Sequence, residues 1–151
     1  MSTSPHRELS LPLIHQGKVR DIYDIDKNNM LIVASDRLSA FDVIFDQPIL
    51  NKGKILTSIA NYWFDKTEHI IQNHLTGIAL KDVLPEKESR ALEGRAIVVK
   101  KLKPLPIEAV VRGYIIGSGW KEYLNLGSVC GISLPSGLIL AEKLESPIYT
   151  P

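Results

Sequence analysis

The stretch from Lys18 to Ala34 limits the folds open to this chain more than any other. Val19, Ile22, Tyr23 and Ile25 dominate the apolar set of Lys18–Ile25, although Val19 is out of step with strict alternation. Asp26-Lys27-Asn28-Asn29 carries turn chemistry, and Met30-Leu31-Ile32-Val33-Ala34 is a short apolar run. Strand, turn and strand in so short a span predict a β-hairpin. Val43–Phe45 adds a further short strand candidate.

Helical spacing first takes over at Ile55–Ile71, where Ile55, Ile59, Tyr62, Trp63, Phe64, Ile70 and Ile71 recur mostly three, four and seven apart. The Tyr62-Trp63-Phe64 cluster lies on that stripe and is expected to face a core. Pro85–Glu93 reads as a charged, solvated loop. Arg95–Leu102 and Ile107–Ile116 are strand candidates separated by Pro104 and Pro106. Gly117–Leu126 is a short helix that Gly127 stops. Ser128–Pro151 is rich in Gly and Pro with two short apolar runs. No repeat emerges. The sum is an α+β chain, richer in strand than helix, with hairpin-like connections. Residues 1–12 are expected to form a flexible arm.

Charge narrows the function classes. The first 75 residues carry eight basic and nine acidic side chains, the remainder ten and eight. Neither half has the Lys/Arg surplus that non-specific nucleic-acid binding needs, so no nucleic-acid partner is expected. With 44% apolar residues over 151 positions, the chain can bury a core. No run approaches the roughly 18 apolar residues of a membrane span. Cys130 is the only cysteine. It is expected to be a small buried hydrophobe in a reducing compartment, which places the protein in the cytoplasm. His6, His15, His69 and His74 show no metal spacing.

Three polar constellations stand out. Gly17-Lys18-Val19-Arg20-Asp21 opens the hairpin: glycine admits a ligand close to the backbone and Lys18 offers a point charge to phosphate. It lacks Walker A spacing, and an ordinary turn with solvated Lys and Arg is the competing reading. Ser35-Asp36-Arg37-Leu38-Ser39-Ala40-Phe41-Asp42 directly follows an apolar strand, the place where functional polar groups gather. A capped turn, with Asp and Ser bonded to local backbone, is the alternative. Arg112-Gly113-Tyr114-Ile115-Ile116-Gly117-Ser118-Gly119-Trp120 sets backbone N–H groups and a hydroxyl at a helix start, six residues from a guanidinium suited to phosphate or carboxylate. Its rival is a flexible strand-to-helix turn. Glu122 stands where a dinucleotide fingerprint needs its third glycine. Asn51-Lys52-Gly53-Lys54 puts two lysines against a helix dipole, which hints at an anionic ligand or reflects a solvated loop. Glu108 is either a metal or hydroxyl contact or an exposed strand residue. Together these elements suggest a phosphorylated small-molecule ligand.

In this order, Gly17–Tyr23, Ser35–Asp42, Asn51–Thr57 and Pro106–Tyr114 with Gly117–Trp120 resemble the SAICAR synthetase family (phosphoribosylaminoimidazole-succinocarboxamide synthases). The resemblance spans about Leu13 to Pro151. It implies an ATP-dependent C–N ligase of purine biosynthesis, joining L-aspartate to the carboxylate of carboxyaminoimidazole ribonucleotide through an acyl phosphate, with ATP and Mg²⁺ as cofactors. It implies an ATP-grasp-related fold: an antiparallel-sheet ATP-binding lobe over residues 13–103 and the beginning of a second lobe over 104–151. Gly17, Lys18, Val19 and Arg20 would cover the ATP phosphates, and Lys100 and Leu102 would border adenine. Arg112 and Ser118 would hold the ribonucleotide 5′-phosphate. Asp36, Arg37, Ser39 and Asp42 would line the substrate side, with Lys52 and Glu108 near the reacting groups. Members of the family continue past a segment like Pro147–Pro151 into carboxylates that help hold Mg²⁺. The chain is therefore expected to be the N-terminal part of such an enzyme. Apolar surface is then expected along Leu138-Ile139-Leu140, with self-association there. The alternative is a nucleotide- or phosphate-binding fragment without turnover. A kinase-like phosphotransferase lacks support, because neither a His-Arg-Asp catalytic loop nor a second glycine loop is present.

Overall fold

A computed structural model describes residues 9–151. The chain divides into two compact units, one extending to Lys103 and the other covering Pro104–Pro151. The first contains β1 (Leu13–Gln16), β2 (Arg20–Asp24), β3 (Asn29–Ala34), β4 (Ser39–Ala40), β5 (Val43–Ile44), α1 (Lys52–Thr67), a 3₁₀ turn at Leu80–Asp82, α2 (Glu86–Ala91) and β6 (Ala96–Lys100). An antiparallel sheet is ordered β1-β2-β3-β6.

The expected hairpin is β2–β3, in register from Arg20 opposite Ala34 to Asp24 opposite Met30. Its turn closes through the Asp26 carboxylate, which accepts the backbone N–H of Asn28 (2.7 Å) and Asn29 (2.9 Å). Alternation then sorts the faces. Tyr23, Leu31, Val33, Ala96 and Val98 form one buried face beneath Leu84 and Leu92. Each fully buried aliphatic side chain there is worth about 1.5–3 kcal/mol.

Two segments expected as arm or loop carry packed structure here. Of the flexible arm expected over 1–12, residues 1–8 lie outside the described residues, and 9–12 are docked. Leu9 and Leu11 pack on the core, Ser10 donates N–H and Oγ–H to Glu88 (both 3.0 Å), and the Pro12 carbonyl accepts from Asp24 (2.8 Å). The expected loop at 85–93 contains α2. Pro85 stands at its N-cap, Glu86 and Glu88 suit its positive end and Arg90 its negative end. The buried Leu84 and Leu92 flank the helix beyond its two ends, so no apolar period marks it.

Helix α1 begins at Lys52 and ends at Thr67, a few residues before each predicted boundary. Gly53 lies within its first turn, where a Cβ would stand 2.3 Å from the Ala34 carbonyl oxygen. Only glycine lets the helix approach the sheet end so closely. The expectation that the aromatic stripe faces a core is corrected. Gly53 and Thr57 are the buried residues of α1. Ile55, Leu56, Ile59, Tyr62 and Trp63 are exposed, and of the apolar stripe Leu56 and Phe64 border an open cleft.

In the second unit, β7 (Val110–Tyr114) precedes α3 (Gly117–Leu126), the small hairpin β8 (Ser128–Val129) and β9 (Ile132–Ser133), and β10 (Lys143–Thr150). Helix α3 has the predicted bounds and ends at Gly127, whose N–H reaches the Tyr123 carbonyl (2.8 Å). Ile115, Tyr123, Val129 and Leu144 form the core. Strand β10 pairs antiparallel with β7 and has no counterpart in the sequence reading. Pro147 disguises it, yet the register breaks between Lys143 and Ile148, so the missing N–H falls in an unpaired bulge. Cys130 is exposed in the β8–β9 turn rather than buried. Ile139 and Leu140 are exposed as expected, while Leu138 packs on the core. No described helix is long and apolar enough to cross a membrane.

Candidate functional site

The Gly17–Val19 loop joins β1 to β2 and is closed by the Gly17 N–H bonded to the Arg20 carbonyl (2.7 Å). The segment leaving β3 holds it from one side. Ser35 donates its N–H (3.0 Å) and Oγ–H (2.8 Å) to the Val19 carbonyl. Arg37 donates Nε–H to the Lys18 carbonyl (2.9 Å) and Nη2–H to the Gly17 carbonyl (3.0 Å). Its other contacts go to the buried Asp21 carboxylate, at 2.7 and 3.2 Å. The backbone N–H groups of Lys18 and Val19 have no partner among the described residues. The loop thus turns bare donors outward on a rigid backing, a concavity suited to an anion.

Lys18 brings its ammonium to the same loop, where it pairs with Asp42. Both side chains are well exposed, so the pair is weakly held and open to competition by another anion. The hydrogen bond and charge of Lys18 hold the Asp42 carboxyl below its usual range. Asp42 sits in the two-residue turn between β4 and β5, where Phe41 and Asp42 both have positive φ (49° and 65°). Asp tolerates this conformation but Phe does not, and Phe41 is fully exposed. Ser39 lies half-buried on β4, in register with Ile44.

Asp36 and Arg37, expected on the substrate side, turn inward from this loop onto protein groups. Asp36 accepts the N–H of Gly53 (2.9 Å) and Asn51 (3.3 Å), capping α1 from outside the helix. It also takes both Nη groups of Arg95 at 3.1 Å. Burial works to raise the Asp36 pKa, but the Gly53 N–H and Arg95 outweigh it and hold the carboxyl below its ordinary value. Asp36 answers the conflict of two lysines at a helix start: it supplies the negative charge that the first turn of α1 lacks. Sequence reasoning missed Arg95, and it named Ser35 and Asp21 only as members of their motifs, without a role. A lone Arg before an apolar strand, buried at β6, was the available signal, since a buried charge requires a partner.

A cleft of about 350 Å³ lies between the second face of the sheet and α1. Ile32, Ala34 and Ile97 line its sheet side, Lys52, Leu56 and Phe64 its helix side, with Val19, Arg20 and His74 also lining it. Burial lowers the His74 pKa, so the ring, edge-on to Phe64 at 4.9 Å, is neutral at pH 7. Val19, Arg20 and Lys52 are thereby brought together. Lys100 is not: it pairs with Asn29, at the opposite end of β3 from Ala34, about 17 Å away at strand rise. Leu102, beyond it, is exposed.

In the second unit, Arg112 of β7 lies on Gly119, where a Cβ would meet its guanidinium at 3.4 Å. Its Nη2 reaches Ser118 Oγ (3.1 Å), and its Nε donates to Thr150 Oγ1 (3.1 Å). Thr150, fully buried, donates in turn to the Val110 carbonyl (3.2 Å). Arg112 and Ser118 thus meet at the start of α3, with one edge of the guanidinium fixed by a residue that sequence reasoning passed over. Glu108 is exposed in the loop before β7. No group of three or more His, Cys, Asp or Glu among the described residues suits a metal ion.

A family described as SAICAR synthetase matches residues 13–151. The chain is 62% identical over 142 residues to phosphoribosylaminoimidazole-succinocarboxamide synthase of Dechloromonas aromatica, covering 94% of this chain and 46% of that protein. It is 60% identical over 144 residues to the synthase of Neisseria meningitidis serogroup B, covering 95% and 50%. Among solved structures it resembles SAICAR synthase from Saccharomyces cerevisiae complexed with SAICAR (TM-score 0.88, 44% identity, 95% of this chain and 52% of that one). It also resembles a SAICAR synthetase in complex with ADP (TM-score 0.64, 25% identity, 89% and 47%). The chain spans about half the length of the curated relatives it matches.

Proposed function

The chain belongs to the SAICAR synthetase family, and from that premise we propose that it serves ATP-dependent ligation of L-aspartate to the carboxylate of carboxyaminoimidazole ribonucleotide. A carboxylate is a poor electrophile. Phosphorylation by ATP makes it an acyl phosphate, and attack by the aspartate amine expels phosphate and leaves SAICAR and ADP. Such a reaction needs fixed donors for the phosphoryl oxygens more than covalent chemistry from the protein. The observation that carries the reading is the Gly17–Val19 loop, with three carbonyls held from one side and two N–H groups bare.

In this reading residues 13–103 are the ATP-binding lobe and 104–151 the beginning of a second. Lys18 leaves Asp42 for the ATP phosphates, assisted by the Lys18 and Val19 N–H groups. The nucleotide lies along the sheet, its adenine toward Lys100 and Leu102. Arg112 and Ser118 hold the ribonucleotide 5′-phosphate, with the guanidinium aimed by Thr150. Lys52 and Glu108 serve near the reacting groups, and Ser39 and Asp42 border the substrate. The family's Mg²⁺ would offset phosphoryl charge when bound. The reading places the protein in the cytoplasm, with self-association through apolar surface such as Ile139 and Leu140. The test is ADP release, expected to require both aspartate and the ribonucleotide. Release indifferent to aspartate refutes the ligase, and ATP binding without any release assigns this chain to nucleotide binding alone.

A further inference from the structure

Three successive carbonyls, of Gly17, Lys18 and Val19, are tied to the segment leaving β3, and one side chain holds two of them. Arg37 uses four of the five N–H donors of a guanidinium on Gly17, Lys18 and Asp21. In a planar trans peptide the C=O of one residue and the N–H of the next point in opposite directions. Pulling the Gly17 carbonyl toward Arg37 therefore turns the Lys18 N–H away from it, and pulling the Lys18 carbonyl turns the Val19 N–H away. Arg37 does not serve the anion itself. It is largely buried, and the carboxylate of Asp21, 2% exposed, neutralises it.

We propose that Arg37, seated on Asp21, is a positioning residue that presents the Lys18 and Val19 N–H groups to the phosphates of a bound nucleotide. This rests on the nucleotide reading above. Arg37→Lys is the discriminating variant: it keeps the charge and the attraction to Asp21, but a single ammonium cannot reproduce the planar fork across two carbonyls. Affinities of this chain for ATP, inorganic triphosphate and adenosine are measured beside ¹⁵N relaxation of the ligand-free loop. ATP and triphosphate are expected to bind about tenfold to hundredfold more weakly, the loss of one or two charge-assisted hydrogen bonds. Adenosine affinity stays unchanged, and the Lys18 and Val19 amides become more mobile. Asp21→Asn loosens the seat and leaves the fork, giving the same split at smaller amplitude. Full triphosphate affinity in Arg37→Lys overturns the proposal, because charge alone then suffices. Equal loss for ATP and adenosine also overturns it, as the mark of a general packing role. A wild-type chain that binds neither ATP nor triphosphate refutes the nucleotide reading, whereas loop amides as ordered in Arg37→Lys as in wild type refute the bracing alone.

Discussion

Replacing Asp36 by Asn should destabilise the first unit strongly, and should do so only where the native carboxylate is charged. Asp36 caps α1 through two backbone N–H groups and pairs with both Nη atoms of Arg95. Loss of a cap costs about 1 kcal/mol. Leaving a buried guanidinium without its carboxylate costs about 3–5 kcal/mol in a dry interior. Here Asp36 keeps 17% side-chain exposure and Arg95 9%, so water moderates the second figure. The Asn amide still accepts one bond, which moderates the first. About 3 kcal/mol in total is expected. The folded pKa of Asp36 is depressed, so its stabilisation is full above the unfolded value near 4 and disappears as pH falls through the folded value. Urea unfolding followed by Trp63 fluorescence, in a Trp120→Phe background so that the first unit alone reports, measures the gap at pH 7 and its closure in acid. A gap below 1 kcal/mol at pH 7, or one undiminished at the lowest pH where both proteins fold, would refute the reasoning.

Three further outcomes follow from the same contacts. Gly53→Ala should cost ~3 kcal/mol, the upper end for overpacking, because its Cβ would fall 2.3 Å from the Ala34 backbone carbonyl; the urea midpoint checks it. Phe41→Gly should raise the melting temperature, gaining about 1 kcal/mol, since Phe41 buries nothing and sits at φ 49°; a lower melting temperature would show that the side chain contributes to stability. Thr150→Val should leave the fold within ~1.5 kcal/mol of wild type and weaken ribonucleotide binding by about tenfold, because the guanidinium of Arg112 loses the acceptor that aims it; calorimetric titration with ATP as the unaffected control measures this.

Local signals in the sequence carried the elements whose stabilising groups are close by. The β2–β3 hairpin closes on Asp26 within its own turn, and α3 ends at its own glycine. The signal failed where partners are distant. Helix α2 is held by Leu84 and Leu92 beyond its two ends, which pack on strands far off in the sequence, and β10 tolerates Pro147 because β10 itself bulges there, four of its residues standing against one of β7. The motifs identified the family and the three polar clusters. The duties within Ser35–Asp42 were not legible, because adjacent charges on one loop turn to different neighbours: Asp36 to α1 and Arg95, Arg37 to Asp21 and the Gly17 loop, Asp42 to Lys18.

By itself the sequence determined the antiparallel α+β character, the order of anion-binding motifs and the family, because these depend on residue type at short spacing. Only the tertiary structure decided which charged groups stay exposed, as Lys18 and Asp42 do, and which are buried as braces of the Gly17–Val19 loop and α1. A buried charge must find its counter-charge through space, and the Asp21–Arg37 and Asp36–Arg95 pairs join residues 16 and 59 positions apart in the chain.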